Sequence, residues 1–333
     1  MINKDGTISR VPGSPFDEGL GQPSIIQVTA EAKGRFVYVL NVEATAGGEL
    51  IGHPGICGFA VDPATGALSR VPGSPIVFPV RNDNNIAVDG SGHFLFEPNL
   101  SNTGFDVYSI DQKTGGLTKT SANSNAPPVG SFVNAAADGR LLFNAGKGMV
   151  EVFSIAAETG ELRAVPGTPT STAGSAGPIA VTADGKFLYV ANQKEGTVMV
   201  FAIAANGALT PMNGSPFAID QGAQNLAPTP DGKFLYVAAF TLTSTGANVT
   251  VKGYSVNPSA GAFTRVAGAQ VNNANSVTVD LSGQRAYISV TSGVTGGLQL
   301  AVYSINPALG ALTKIGQIDA PVSDNPFNVV TTP

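Results

Sequence analysis

Residues 178–212 read PIAVTADGKFLYVANQKEGTVMVFAIAANGALTPM. Four short runs rich in β-branched and aromatic residues alternate here with turn signals, namely Asp184-Gly185, Lys194-Glu195-Gly196 and Asn206-Gly207. Turns of this composition favour tight hairpins. The second and third runs are apolar at nearly every position, as in strands that are covered on both faces. The stretch therefore predicts a four-stranded antiparallel sheet that packs between two similar sheets.

The same unit recurs along the whole chain. Its marker is a turn glycine before an apolar run, found at Gly34, Gly92, Gly139, Gly185, Gly232 and Gly283. By subtraction these glycines are 58, 47, 46, 47 and 51 residues apart. Repeats of about that length with four strands each, and almost no helical periodicity, indicate a β-propeller.

Counting the inner strands predicts the size of the ring. Seven candidates follow one another: Ser24–Thr29, Asn85–Val88, Phe132–Ala136, Ile179–Thr182, Leu226–Thr229, Ser276–Val279 and Phe327–Val330. The N-terminal residues 2–16 align with the end of a third strand and with a fourth, outermost strand at Thr7–Val11. We therefore expect one all-β domain over residues 1–333, a seven-bladed propeller of four-stranded antiparallel blades. Its seventh blade would be incomplete and shared by the two termini.

Composition excludes several classes of function. The net charge is -5, and the 18 Lys and Arg residues form no cluster, so a nucleic-acid partner is not expected. No apolar run reaches the roughly 20 residues that a membrane span needs. Two His and the single Cys57, which lies in an apolar run and is expected to be buried, offer no usual metal site, and no cofactor is implied. Little Lys and many small polar residues are typical of exported bacterial proteins, periplasmic or extracellular.

Three segments resemble the repeats of a known family. They are DGKFLYVAN at 184–192, DGKFLYVA at 231–238 and VYSINPALGALTKI at 302–315. They are similar to repeats of the lactonase-family seven-bladed propellers, which include bacterial 6-phosphogluconolactonases and, more distantly, carboxymuconate-lactonising enzymes and Tyr-Val-Thr-Asn repeat proteins. The resemblance implies the fold over the whole chain, but these repeat residues specify the blade and not the reaction.

The resemblance also implies where the family's active site would lie. That site uses His and Arg from the starts of inner strands and a Glu from the end of a second strand, at one end of the central channel. In this chain the corresponding positions carry Gly177, Pro178, Gln193, Ser131 and Asn275, or Asn82 and Asn84 if the register is moved by one blade. Opening a lactone needs a base or a positioned water and a donor for the oxyanion, and an amide can supply only the donor.

The same end of the ring is expected to be rich in amides, because inner-strand starts and second-strand ends meet there. The amides are Asn41, Asn82, Asn84, Asn85, Asn99, Asn192, Gln193, Gln224, Asn225, Asn272, Asn273, Asn275 and Asn325. One interpretation is a site for a neutral polar ligand such as a sugar or a lactone, with Asn85, Asn192, Gln193, Asn225 and Asn275 as binding residues. The other is that asparagine suits turns and strand ends.

Charged candidates form a smaller group at that end. Glu97 could act as a base beside Arg81, with Asp83 and Glu43 close by, or these residues could form a solvated ion pair. His53 lies in the insertion at Ala44–Gly55, whereas His93 is expected to be an exposed turn residue. A second long connection, Thr241–Asn248, is expected to lengthen the loops of the same face, where binding often resides.

Two functions remain open. The first is a binding or scaffold protein that lacks the family's His, Arg and Glu and holds a neutral small molecule or another protein on its amide-rich face. The alternative is a sugar-lactone hydrolase of the 6-phosphogluconolactonase type that uses Arg81, Glu97 or His53 as weaker catalytic candidates.

Overall fold

The computed structural model describes residues 9–14, 16, 20, 24–42, 44–46, 49–78, 85–99, 104–122, 127–243, 246–257, 262–291 and 298–319. Within these ranges the regular structure is all β-strand, without a helix. Six antiparallel sheets follow one another along the chain. Their inner strands are spatial neighbours in sequence order, and this arrangement confirms the predicted all-β propeller.

Blades 1 and 2 come first. Blade 1 contains β1 (Ser24–Ala30), β2 (Phe36–Val42), β3 (Ala44–Ala46), β4 (Glu49–Gly52), β5 (Gly55–Val61), β6 (Leu68–Arg70) and β7 (Ile76–Val77). Within it, β3 and β4 form a separate hairpin, and β7 pairs with β5. Blade 2 contains β8 (Ala87–Val88), β9 (Phe94–Asn99), β10 (Gly104–Ile110) and β11 (Leu117–Lys119).

Blades 3 and 4 repeat the plan with a short fifth strand each. Blade 3 contains β12 (Phe132–Ala135), β13 (Leu141–Gly146), β14 (Met149–Ile155), β15 (Leu162–Ala164) and β16 (Thr170–Ser171). Blade 4 contains β17 (Ala176–Val181), β18 (Phe187–Asn192), β19 (Thr197–Ile203), β20 (Leu209–Pro211) and β21 (Phe217–Ala218).

Blades 5 and 6 have four longer strands. Blade 5 contains β22 (Ala223–Pro228), β23 (Phe234–Thr243), β24 (Gly246–Asn257) and β25 (Ala262–Asn272). Blade 6 contains β26 (Ala274–Val279), β27 (Arg285–Thr291), β28 (Leu298–Ile305) and β29 (Leu312–Asp319).

The core consists of apolar layers between neighbouring blades, because the second and third strands are buried on both faces. Between blades 2 and 3, for example, Phe96, Phe105 and Phe153 pack together, and the last two rings meet edge to face at 5.2 Å. Buried tyrosines tie neighbouring blades together by donating to a backbone carbonyl: Tyr38 Oη binds Gly115 O at 2.8 Å. Aromatic residues therefore supply both apolar area and a polar link between sheets.

Three details differ from the expectation or extend it. The insertion at Ala44–Gly55 and the connection at Thr241–Asn248 are not open loops, since β3 and β4 pair and the β23–β24 hairpin continues to Thr243 and Gly246. The outer edge of three blades carries an extra strand, β7, β16 or β21. Cys57 is fully buried, as predicted.

Six blades lie within the described residues, one fewer than predicted. The seventh predicted inner strand, Phe327–Val330, lies outside them, as does the start of the outer strand at Thr7–Val11. The remaining part of the N-terminal segment forms a turn in which Ser14 N donates to Val11 O at 3.1 Å. The same bond closes the outer-edge turns of blades 1, 3 and 4, at 3.2, 3.2 and 3.1 Å.

Candidate functional site

The starts of the inner strands and the ends of the second strands lie side by side, as expected from their antiparallel pairing. In blade 4, Ala176 is opposite Asn192, and in blade 5, Asn225 is opposite Ala238. We call the five predicted ligand residues at this end the amide-rich edge: Asn85, Asn192, Gln193, Asn225 and Asn275. Their position at one end of the blades follows the sequence prediction, but their side chains differ in what they contact.

Two amides of the edge link neighbouring blades. Asn225 Oδ1 accepts a hydrogen bond from Val277 N of blade 6 at 3.0 Å, and Gln193 Nε2 donates to Ala223 O of blade 5 at 2.8 Å. Gln27 makes the same kind of link from blade 1 to both backbone groups of Ile86 in blade 2. One role of these amides is thus to hold successive inner strands in register.

The other three members of the edge are less alike. Asn192 is fully buried and donates from Nδ2 to Thr172 O at 2.7 Å and to Thr197 Oγ1 at 3.2 Å. Asn275 is also buried, at 8% exposure. Asn85 is half-buried, and its backbone N–H donates to Ser131 O at 2.9 Å. A ligand at the edge would therefore meet Asn85, Gln193 and Asn225 before it met Asn192 or Asn275.

Gly177 is closely covered by the side chain of Gln193. A β-carbon at Gly177 would lie 2.6 Å from Gln193 Cγ and 2.8 Å from its Oε1, so a larger residue there must displace Gln193. A second contact fixes the adjoining loop, because Glu195 Oε2 accepts from Ser175 N at 2.7 Å and from Ser175 Oγ at 2.6 Å. These bonds hold the pKa of Glu195 below its usual value. The side chain of Gln193 therefore occupies the space that Gly177 leaves free.

Glu97 lies in β9 at 1% exposure, opposite Asp106 on β10. Asp106 Oδ2 accepts from Lys119 Nζ at 2.7 Å and from Asn99 Nδ2 at 3.3 Å. Burial and, to a smaller extent, the negative charge of Asp106 together raise the pKa of Glu97 to about 8, against the opposing effect of Lys119. Glu97 is thus largely protonated at neutral pH, and solvent barely reaches it.

The other catalytic candidates are not brought to Glu97 within the described residues. His53 is exposed beside the β3–β4 hairpin, and its backbone N–H donates to Leu20 O at 2.9 Å. Arg81 lies outside the described residues, as do Asn82, Asp83, Asn84, Glu43 and Asn325. His93 is exposed in its turn, where Nδ1 is 2.9 Å from Ser91 Oγ.

Polar residues that the sequence analysis passed over occupy the equivalent place in blade 3. Asn144 is fully buried in β13 and makes four hydrogen bonds, to Val129 N, Gly130 N, Gly130 O and Phe132 O. Glu151 is paired with it on β14 at 3% exposure, and burial raises its pKa. In the sequence, Asn144 and Glu151 could have been noticed as polar residues within otherwise apolar strands.

No three His, Cys, Asp or Glu residues in the described ranges are close enough together to hold a metal ion. The described part of the chain also has no helix long and apolar enough to cross a membrane.

Comparison with known proteins supports the lactonase resemblance. The model of the family "Lactonase, 7-bladed beta-propeller" matches residues 137–279, which are 143 of the 333 residues. No curated protein sequence matches the chain significantly. The predicted resemblance is therefore confirmed directly for the central blades.

Solved structures resemble the chain over most of its length. A candidate 6-phosphogluconolactonase of Bacteroides uniformis superposes with a TM-score of 0.63 at 16% identity, covering 86% of this chain and 82% of that one. The periplasmic gluconolactonase of Pseudomonas aeruginosa gives 0.62 at 21% identity, with 88% and 84% covered. A candidate 6-phosphogluconolactonase of Bacteroides fragilis gives 0.59 at 21% identity, with 88% and 86% covered. At such identities the likeness establishes the fold alone.

Proposed function

We propose that this lactonase-type propeller binds a neutral polar ligand at its amide-rich edge and does not hydrolyse it. One observation carries the proposal: the space beside Gly177 is filled by Gln193, whose amide is already bonded to Ala223 O. By the family resemblance these two positions would hold an arginine and a glutamate. Here they hold a residue without a side chain and an uncharged amide that packs over it.

The chemistry of the edge agrees with binding. Ring opening of a lactone needs a group that activates water, in addition to a donor for the developing oxyanion. The five members of the amide-rich edge can donate and accept hydrogen bonds, but none of them titrates near neutral pH. Such a set suits hydroxyl and carbonyl groups of an uncharged sugar or sugar lactone.

A hydrolase with substituted residues is the second candidate, and the raised pKa of Glu97 favours it. A carboxyl with a pKa of about 8 can exchange a proton near neutral pH. Its exposure of 1% opposes direct contact with a substrate, so the blade would have to open for Glu97 to act. Arg81 and His53 are the remaining residues proposed for this activity.

Hydrolysis of 6-phosphogluconolactone, corrected for spontaneous opening, separates the two functions. We expect the rate with protein to equal that in buffer. A faster rate that is lost in Glu97→Gln and in Arg81→Ala would overturn the non-hydrolytic proposal.

Binding is tested with a panel of neutral monosaccharides and sugar lactones by saturation-transfer NMR. Asn85→Ala and Asn225→Ala should weaken the signal of whichever compound binds. Gln112→Ala is the control, because it removes an amide that links Arg35 of blade 1 to Gly92 O of blade 2 at the turn end, away from the proposed site. Equal weakening in all three variants would assign the effect to the fold and contradict the proposed site.

We also propose that the ring has seven blades and that the N-terminal segment supplies the outer edge of the seventh. A β-carbon at Gly66 would lie 3.3 Å from Val11 Cγ2, as one at Gly207 of blade 4 would lie 3.0 Å from Val165 Cγ2 of blade 3. Phe16 packs against the blade 1 cluster that contains Val39 and Phe59, and Arg10 Nη2 donates to Asp319 O of blade 6 at 2.8 Å. These contacts support a position for the segment between blades 6 and 1.

A further inference from the structure

A cavity of about 310 Å³ lies among the inner strands of blades 3 to 6. It reaches from Asn225 to the turns between first and second strands, at the opposite end of the blades from the amide-rich edge. Its mouth is lined by Ala137, Ala183 and Leu281, all of them exposed. The cavity thus shares Asn225 with the amide-rich edge but is open to solvent at the opposite, turn end.

The lining combines small apolar residues with a few polar groups. Ala180 and Ala227 leave room in the channel where larger side chains would fill it, and Asn134, Asn225 and Thr278 are the polar residues that line it. No charged residue is among the lining residues. Small-molecule sites are typically concave and mainly apolar, with a small number of polar groups that orient the ligand.

The surroundings of the mouth also disfavour an anionic ligand. Each of three turns beside it carries an acidic and a basic residue that pair with each other: Asp138 with Arg140 at 2.6 Å, Asp184 with Lys186 at 3.0 Å and Asp231 with Lys233 at 3.0 Å. The fields of paired charges largely cancel beyond a few ångströms, and the turn that carries Leu281 adds the carboxylate of Asp280, which accepts from Ser282 Oγ and Gln284 N, so the mouth does not favour an anion.

We propose that this cavity is a second ligand site, which takes an uncharged small molecule with an apolar body and at least one hydrogen-bonding group. Its volume is about ten times the roughly 30 Å³ that a water molecule occupies in the liquid, so the ligand is small. Asn134 and Thr278 would orient it, and the alanines would contact its apolar part. The site does not depend on whether the amide-rich edge binds or hydrolyses sugar lactones.

Two fluorescent probes of matched shape test this site. N-phenyl-1-naphthylamine is uncharged, whereas 8-anilino-1-naphthalenesulfonate carries a sulfonate on the same ring system. We expect saturable binding of the uncharged probe at one site, at least tenfold tighter than binding of the charged probe. Equal affinity for the two probes would overturn the proposal.

Variants at the mouth locate the probe. Ala137→Phe and Ala183→Phe should each weaken binding of the uncharged probe at least tenfold by closing the entrance. Ala32→Phe is the matched control: Ala32 is exposed at the equivalent turn position of blade 1 but does not line the cavity, and its variant should bind within twofold of the parent. Because all three positions are exposed, the variants are expected to fold.

Thr278→Val removes one polar group with little change of shape and should weaken the uncharged probe by about two- to tenfold, the range of a single hydrogen bond. Unchanged binding in both mouth variants, or equal loss in Ala32→Phe, would place the probe elsewhere and overturn the proposal. Asn85→Ala, which concerns only the amide-rich edge, should leave the probe affinity unchanged, so failure of one site is distinguishable from failure of the other.

Discussion

Glu97 shows how the environment of one residue sets its chemistry. Its carboxyl is almost fully covered and lies opposite the carboxylate of Asp106, and both conditions disfavour ionisation. Lys119 partly compensates, but its ammonium pairs directly with Asp106. The carboxyl of Glu97 is therefore neutral in the folded blade, and its ionisation lowers the free energy of unfolding.

Glu97→Gln should change how stability depends on pH. In the unfolded chain the carboxyl ionises near its ordinary value of 4.5, but in the folded protein it ionises near 8. Between these values the unfolded state binds fewer protons, so the parent loses free energy of unfolding as pH rises, by up to about 1.4 kcal/mol per pH unit from this group. Urea unfolding at pH 5, 6.5 and 8 should show that the free energy of unfolding of the variant rises relative to that of the parent as the pH increases.

Glu161→Gln is the control for this series, because its carboxylate is half exposed and pairs with Arg163 at the surface. Its difference from the parent should stay nearly constant over the same pH range. Parallel curves for Glu97→Gln and the parent would contradict a raised pKa for Glu97.

Gly177 and Gln193 should behave as a coupled pair. Gly177→Ala places a β-carbon 2.6 Å from Gln193 Cγ, and we expect it to push Gln193 away from Ala223 O and to destabilise the fold by about 0.5–1.5 kcal/mol, the range of one hydrogen bond. In a Gln193→Ala background the same change should cost less than about 0.5 kcal/mol, giving a coupling in a double-mutant cycle. Additive costs measured by urea unfolding would show that the two side chains do not compete for this space.

At this scale the sequence predicted where residues lie along the blade better than what they contact. The turn glycines and the antiparallel plan put Asn192 and Asn225 at one end, and they do lie there. Which face of a blade a side chain occupies depends on the packing of neighbouring sheets. For that reason the burial of Asn192 and the link from Asn225 to Val277 could not be deduced from spacing.

The outer edge of the blades contains a repeated hydrogen bond. In blade 4, Ser215 Oγ accepts from Val200 N at 2.8 Å, and in blade 1, Ser74 Oγ accepts from Gly58 N at 2.9 Å. Thr168 takes the same role in blade 3, where its Oγ1 is 3.4 Å from Val152 N. A hydroxyl thus replaces the missing strand partner between the two short outer strands.

Ser215→Ala should cost about 1–2 kcal/mol, because Val200 N would lose its acceptor inside the blade. Ser215→Thr should be nearly neutral, since Thr168 makes the equivalent contact. Ser154→Ala, which removes an exposed hydroxyl bonded to Arg163 O at 3.3 Å, serves as the control. Thermal unfolding in which Ser215→Ala matches Ser154→Ala would refute the structural role.

The hydrogen bond at the outer edge was not predicted from the sequence. A serine before a proline can make several local bonds, and the chain's return to pair with the third strand is a tertiary feature. The strands themselves were predictable, because their turn signals and apolar runs act locally. The boundaries of the strands were less predictable: β8 begins at Ala87, whereas its predicted start was Asn85.

Across the whole molecule, stability depends on the packing of each blade against its neighbours. The face of blade 1 that turns away from blade 2 buries Val39, Cys57 and Phe59 against Leu20, with Phe16 packed beside them. Phe217 packs in the equivalent way on blade 5, where it stacks on Phe263 at 5.2 Å. The N-terminal segment therefore covers blade 1 as the outer edge of blade 4 covers blade 5.

Phe16→Ala should destabilise the ring about as much as Phe217→Ala does. Both rings are half-buried between an outer edge and the next blade, so we expect each variant to lose about 1–3 kcal/mol, somewhat less than a fully buried phenylalanine. Urea unfolding measures both on the same scale. In a closed seven-bladed ring the loss at Phe16 spreads through nearest-neighbour contacts and lowers the single cooperative transition. A variant at Phe16 that unfolds like the parent, beside a clearly destabilised Phe217 variant, would show that the N-terminal segment only rests on blade 1 and closes no seventh blade.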